Sequence, residues 1–365
     1  MAVTKRTLVS RRRKGAPIGV SIGPMPEWSH LGISSIVPAK RLMLVPSQDT
    51  DVVGIVDLEE LDVVHNVKLP KGSGPWHVKA TPDGKRAFVS FSRFRGHIDE
   101  TDKRDSFVGI IDLRSGRLTG KIKVQGGPVM IEMDRRRQRA YVTNRLSNTV
   151  SVIDLKKNVV VQTLETGRAP FWISLTPKAD LLVVGNFEDA SLSIFDASKL
   201  RPLATVPVGK PSDKPFPEFG VGDTIGFSID KAGVAYVANW RSHTVATVNV
   251  YEAAKPGAKA KVSIDRSVRS PFHVEIDPRT GLMVVGSYEL PDSRVVVFDK
   301  AKRGKAETLL GAQVADVPTT GVKLPTGRAA AINYWMSQPF ESRVIGFLGQ
   351  GRKPINPIDL VAAVL

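Results

Sequence analysis

Apolar residues along this chain fall in short alternating segments, not in helical stripes. Between residues 128 and 164 they occupy Met130–Met133, Ala140–Thr143, Thr149–Leu155 and Val159–Leu164, each rich in β-branched or aromatic residues and bounded by Gly, Pro, Asp or Asn. Period-two alternation over such short spans predicts half-buried strands, and a stretch such as Ser151-Val152-Ile153 is too short for a helix. Turn sequences stand between the first two strands of other segments, as in Pro82-Asp83-Gly84 and Pro278-Arg279-Thr280-Gly281. Pro presets φ and Gly supplies positive φ, so these sequences predict tight reversals.

The order of segments recurs every 42 to 53 residues. Pro128 to Asp154 spans 26 positions, as do Pro170 to Asp196 and Asp223 to Asn249. Pro271 to Asp299 spans 28, His30 to Asp57 spans 27, and Pro75 to Asp112 spans 37, so the last of these carries an insertion of about eleven residues. Glu341–Phe347 mirrors Pro291–Phe298 and marks a seventh, degraded copy. Seven copies of four short antiparallel strands predict an all-β fold, a seven-bladed β-propeller of four-stranded blades closed by pairing of the chain ends. The expected division is a basic N-terminal arm over 1–27, with room for a ring-closing strand, and the propeller over 28–365. The last blade can take its outer strand from an N-terminal segment such as Lys5–Arg11 or from Asp359–Leu365; the N-terminal latch is favoured.

Tyr141-Val142-Thr143-Asn144 is echoed by Tyr236-Val237-Ala238-Asn239 and Val183-Val184-Gly185-Asn186. On these residues the chain, over roughly 28–350, resembles the YVTN-type β-propeller repeat family, among the WD40-like and lactonase-like seven-bladed propellers. The resemblance implies the fold and leaves the activity open, since such propellers include surface-layer proteins, amine dehydrogenase heavy subunits and lactonase-like enzymes.

Composition adds constraints. With 31 Gly, 25 Pro and 42% apolar residues the chain is turn-rich and folded. No apolar run is long enough to predict a transmembrane helix. Ser10-Arg11-Arg12-Arg13-Lys14 resembles a twin-arginine start, but the adjoining stretch Ala16–Gly23 is too short and too rich in Gly and Pro for a signal's apolar region. The chain as it stands carries no signal peptide; it reads as cytoplasmic, or as secreted or periplasmic if a signal was removed, so the compartment stays open. The absence of cysteine excludes disulfides and thiolate chemistry. The net charge of +16 favours anionic partners, and Arg11, Arg12, Arg13 and Lys14 concentrate part of it before the first acid, Glu27.

Candidate site residues emerge from the aligned copies. The position two after each opening Pro is expected near the axial channel mouth, and reads Gly32, His77, Met130, Trp172, Ile225 and His273. His77, Trp172 and His273 are the chemically useful members. Gly, Met and Ile cannot complete a ligand ring, so neither a metal nor another cofactor is expected. The residue after the Tyr-Val-Thr-Asn position is Arg145, Phe187, Trp240 or Tyr288, with Arg241 alongside. Such residues suit a binding rim, or alternatively plug the wells between blades. Three irregular loops, 93–105, 209–222 (with Phe216 and Phe219) and 313–321, are further candidates. The Asp that closes each third strand (Asp57, Asp112, Asp154, Asp196, Asp299) is read as turn chemistry.

No Gly-x-Ser-x-Gly elbow, His-Glu-x-x-His pair or phosphate loop is present. The favoured reading is therefore a non-catalytic module that binds a protein, or an anionic polymer or nucleic acid, through its loops and basic arm. The alternative is a propeller enzyme or cofactor-bearing subunit, lactonase-like or like a dehydrogenase heavy subunit, with its site at the channel mouth. The oligomeric state is left open.

Overall fold

The computed structural model describes residues 20–21, 35–37, 40, 42–48, 50–57, 62–93, 105–211, 222–266, 268–276, 283–287, 294–298, 306–311 and 344–345. Six four-stranded antiparallel sheets follow one another, and within each sheet the spatial order is the chain order. They open on Ser35–Val37, Pro75–Ala80, Pro128–Asp134, Pro170–Leu175, Thr224–Ile229 and Pro271–Ile276. These are blades one to six of the propeller. Blade three shows the pattern in full: Pro128–Asp134, Arg139–Asn144, Thr149–Asp154 and Val159–Glu165. A further two-stranded pairing joins the beginning of the chain to its end, with Val20 opposite Ile345 and Ser21 opposite Val344. Val344 and Ile345 lie in the expected seventh copy. The segments Lys5–Arg11 and Asp359–Leu365 lie outside the described residues.

The core sits between blades. One cluster joins Val37, Leu44 and Val53 of blade one to Val78, Val89 and Ile111 of blade two. The next joins Phe88 and Val108 of blade two to Ile131, Val142 and Ile153 of blade three. Each inner strand therefore buries both faces, which is why Val150, Val152 and Ile153 are all fully buried although consecutive or alternate. Burial of each such side chain is worth about 1.5–3 kcal/mol. The outermost strands show the opposite pattern, with Val159 and Val161 exposed.

Polar side chains fasten blade to blade. Asp51 accepts hydrogen bonds from the Gly72 amide, the Ser73 hydroxyl and the Gly74 amide, at 2.6, 2.9 and 2.8 Å. Asn148 and His243 do the same work for the Ala169 and Ser270 amides. All three clasps sit at positive φ before the third strand of their blade, where Asp, Asn and His are tolerated better than most residues. The Tyr141 hydroxyl lies between Asp134 Oδ2 and the Ala197 carbonyl of blade four. Burial, with the Asp134 charge adding to it, pushes its pKa up to about 12.

The turn reading of the repeated Asp holds at the three positions with described side chains. Asp154 Oδ1 accepts from the Lys156 and Lys157 amides, Asp196 Oδ1 from the Ser198 and Lys199 amides, and Asp112 Oδ1 from the Ser115 amide and hydroxyl. These bonds hold all three carboxyls below their ordinary range. In blade five Asn249 stands at this place and caps a short helix, Val250–Ala253, which the strand pattern does not predict. Among the described residues, no helix is long and apolar enough to cross a membrane.

Candidate active site

Every opening strand from blade two to blade six carries a β-bulge at the same place. Pro75 faces Phe91 but Val78 faces Val89; Pro128 faces Asn144 but Ile131 faces Val142; Pro170 faces Asn186 but Ile173 faces Val184. Blades five and six repeat the shift after Thr224 and Pro271. A bulge sets two residues against one and turns their side chains out of the regular alternation. Successive opening strands also pack on one another around the ring, so the bulged residues gather near the propeller axis.

The bulges produce two groups of side chains. The first residue after the strand opening is Trp76, Val129, Phe171, Ile225 or Phe272, all buried. The second is His77, Met130, Trp172, Gly226 or His273. The expectation of Ile225 at this second position is corrected. Thr224, not Asp223, pairs with Asn239 as Pro128 pairs with Asn144, so blade five is displaced by one residue and Gly226 occupies the place. Gly32 lies outside the described residues.

The bulge leaves amides without ladder partners, and the third residue of the Tyr-Val-Thr-Asn signature meets that need. The Met130 amide donates to Thr143 Oγ1 at 3.0 Å, and that hydroxyl donates to the Phe171 carbonyl of the next blade at 3.0 Å. Blade two does the same through Ser90, which accepts from the His77 amide and donates to the Val129 carbonyl. His77 adds a side-chain link, its Nδ1 accepting from the Ile131 amide at 2.9 Å. That bond leaves the proton of the neutral ring on Nε2. Burial, and then the charge of Lys79, hold the His77 pKa well below its ordinary value.

Two residues further along the strand in blades two to five, on the same face, lie Lys79, Glu132, Ser174 and Ser228. Lys79 Nζ approaches Glu132 Oε2 at 3.7 Å, with side-chain exposures of 38% and 21%. Burial raises the Glu132 pKa above the ordinary carboxyl value, and Lys79 only partly offsets it. The sequence reading missed this pair. The signal was present, since strand alternation carries His77 to Lys79 and Met130 to Glu132, but nothing in the linear order brings blades two and three into contact. On the other side of the ring, Trp172 and His273 lie with ring centroids 4.6 Å apart.

Arg145, Phe187 and Trp240 are buried and fill the wells between blades. The Arg145 guanidinium lies 4.8 Å over the Phe187 ring and 5.8 Å over Phe171. Trp240 meets Phe272 edge-on at 6.3 Å, and Trp76 meets Phe171 at 5.9 Å. All these rings belong to one apolar cluster. Arg241 is half-buried, its amide bonded to Asp223 Oδ1. Tyr288, Phe216, Phe219, Arg11, Arg12, Arg13 and Lys14 lie outside the described residues. His65 donates to the Gly116 carbonyl and His243 serves as a clasp, so neither joins His77 and His273. Among the described residues no three His or carboxylate groups are placed to hold a metal.

The architecture is that of a seven-bladed β-propeller. The sequence matches the family model described as "Lactonase, 7-bladed beta-propeller" over residues 17–212, more than half of the chain, and the chain belongs to that family. The hydrazine synthase of Kuenenia stuttgartiensis is structurally similar, with a TM-score of 0.58 and 17% sequence identity over 79% of this chain and 80% of that one. At that identity the likeness shows a shared fold. No curated protein matches the sequence.

Family membership overturns the expectation of a non-catalytic interaction module, and with it the scaffold reading attached to YVTN and WD40-like repeats. The physical reason lies in the architecture. A propeller assembles its polar groups from separate blades, so the lack of a linear catalytic motif carries no weight.

Proposed function

We propose that the protein is a hydrolase of lactones or closely related esters, with Glu132 as general base and Lys79 as the electrostatic partner. The observation that carries this reading is the half-buried Lys79–Glu132 pair on adjacent innermost strands, with a raised carboxyl pKa beside a neutral, hydrogen-bonded His77. Perturbed titrating groups gathered at one place are what acid–base catalysis uses. Family membership supports the substrate class.

Ionised Glu132 takes a proton from a water molecule, whose oxygen attacks the ester carbonyl. The Lys79 ammonium stabilises the negative oxygen of the tetrahedral species. When that species collapses, the ring C–O bond breaks and the leaving alkoxide takes the proton back from Glu132. The product is an open hydroxy acid, and Lys79 is also placed to hold its carboxylate. Purified protein should open an aliphatic lactone, followed by acid release against a pH indicator. Glu132→Gln and Lys79→Met should each lose the activity while keeping the fold. Wild-type protein that opens no lactone from a panel of ring sizes would reject the proposal.

A further inference from the structure

We propose that Trp172, braced by His273 across the gap at Gly226, is the ring-stacking surface of the axial site and makes it prefer cyclic esters to open-chain ones. The inference rests on the hydrolase reading for its substrate and on separate residues for its geometry. The second bulge position divides the ring into two arcs. Blades two and three bring His77 and Met130, with Lys79 and Glu132 one step along. Blades four to six bring Trp172, Gly226 and His273.

Trp172 differs from the other large aromatics near the axis. Trp76, Phe171, Phe187, Trp240 and Phe272 are buried, whereas Trp172 is half-buried and keeps accessible surface on an innermost strand. It is nevertheless held firmly, packed against two separate core clusters. A preplaced aromatic ring loses little freedom when a ligand arrives, and this favours its use as a platform.

Gly226 makes the arrangement possible. A Cβ there would stand 2.9 Å from the Phe272 carbonyl oxygen, closer than such atoms approach, and 3.0 Å from His273 Nδ1, tighter than most real contacts. With no side chain on blade five, the imidazole of blade six reaches the indole of blade four, at a tilt of 46°. An indole face attracts the flat or C–H-lined face of a small ring. An open-chain ester presents no such face, so the platform discriminates by shape. It would also hold a ring on one arc of the axis, with the Lys79–Glu132 pair on the other.

The test uses the full chain with three probes: a six-membered sugar lactone, the ethyl ester of the same acid, and the matching lactam, which is not hydrolysed. Trp172→Ala should raise KM for the lactone about tenfold and weaken lactam binding, read by calorimetry, by a similar factor. It should change KM for the open ester less than threefold. Trp172→Phe should restore lactam binding to within threefold of wild type. Gly226→Ala, which displaces His273, should behave like Trp172→Ala. Thermal melting checks that each variant is folded.

Lactam binding unchanged in Trp172→Ala would overturn the inference, as would an equal loss of kcat on both esters with KM unmoved. Wild type that binds the lactam through Trp172 but hydrolyses neither ester would support the platform and sink the hydrolase reading. Hydrolysis without dependence on Trp172 would do the reverse, and wild type that neither binds nor hydrolyses would overturn both.

Discussion

Glu132→Gln separates catalysis from folding. The charges of Lys79 and Glu132 stand 3.7 Å apart, a spacing worth about 4 kcal/mol at an effective dielectric of 20. Both side chains retain contact with water, at 38% and 21% exposure, so screening brings the pair's contribution to about 1 kcal/mol. Neutralising Glu132 also removes the cost of burying its charge, which opposes that loss. The net change in stability should lie within about 1 kcal/mol, as a shift of urea midpoint at constant slope. A general base contributes about 10²–10⁴-fold, so kcat/KM on a lactone should fall by at least about a hundredfold.

The pH dependence comes from the direction of the shift. Glu132 holds its proton more strongly in the folded protein than in the unfolded chain. Its contribution to stability is therefore best below the unfolded carboxyl pKa of about 4.3 and is lost as pH rises through the higher folded value. In activity the same shift appears as an acid limb of kcat/KM above the ordinary carboxyl range, because only the ionised form accepts a proton. Glu132→Gln should remove that limb from whatever activity remains. A variant that keeps kcat/KM within threefold of wild type, or keeps the limb at the same pH, would refute the assignment of Glu132 as base.

Asp51→Ala leaves two amides and a hydroxyl without their acceptor between blades one and two; the expected cost in chemical denaturation is about 3–5 kcal/mol. Asp51→Asn keeps one oxygen for the Ser73 hydroxyl and the Gly74 amide but sets an NH2 donor against the Gly72 amide, and should cost about 1–3 kcal/mol. Thr143→Val removes the acceptor of the Met130 amide and the donor to the Phe171 carbonyl, and should cost about 2–3 kcal/mol by the same assay. The Tyr141 phenol, pushed up to about 12, ionises later in the fold than in the unfolded chain. Its stabilisation should be intact below about pH 10 and lost as pH rises toward 12. Ultraviolet titration of Tyr141→Phe should lack one late-ionising phenol present in wild type.

The repeat spacing and the two-residue alternation determined the strands, their number per unit and the propeller. Those properties are local, since each blade is a run of consecutive hairpins whose pattern is written along the chain. The turn role of Asp154 was legible for the same reason, its partners being the next two or three amides. The Thr of the signature was visible as a repeat but not as a link, because it bonds the carbonyl of Phe171 in another blade. Only the tertiary structure brings the proposed catalytic pair together. Lys79 and Glu132 lie far apart in sequence and meet because two innermost strands pack side by side. It also decided that Gly226, not Ile225, faces the axis, through a bulge that a count from Asp223 could not place. And it decided that Arg145, Phe187 and Trp240 turn inward, since burial depends on the neighbouring blade and not on the residue's own strand.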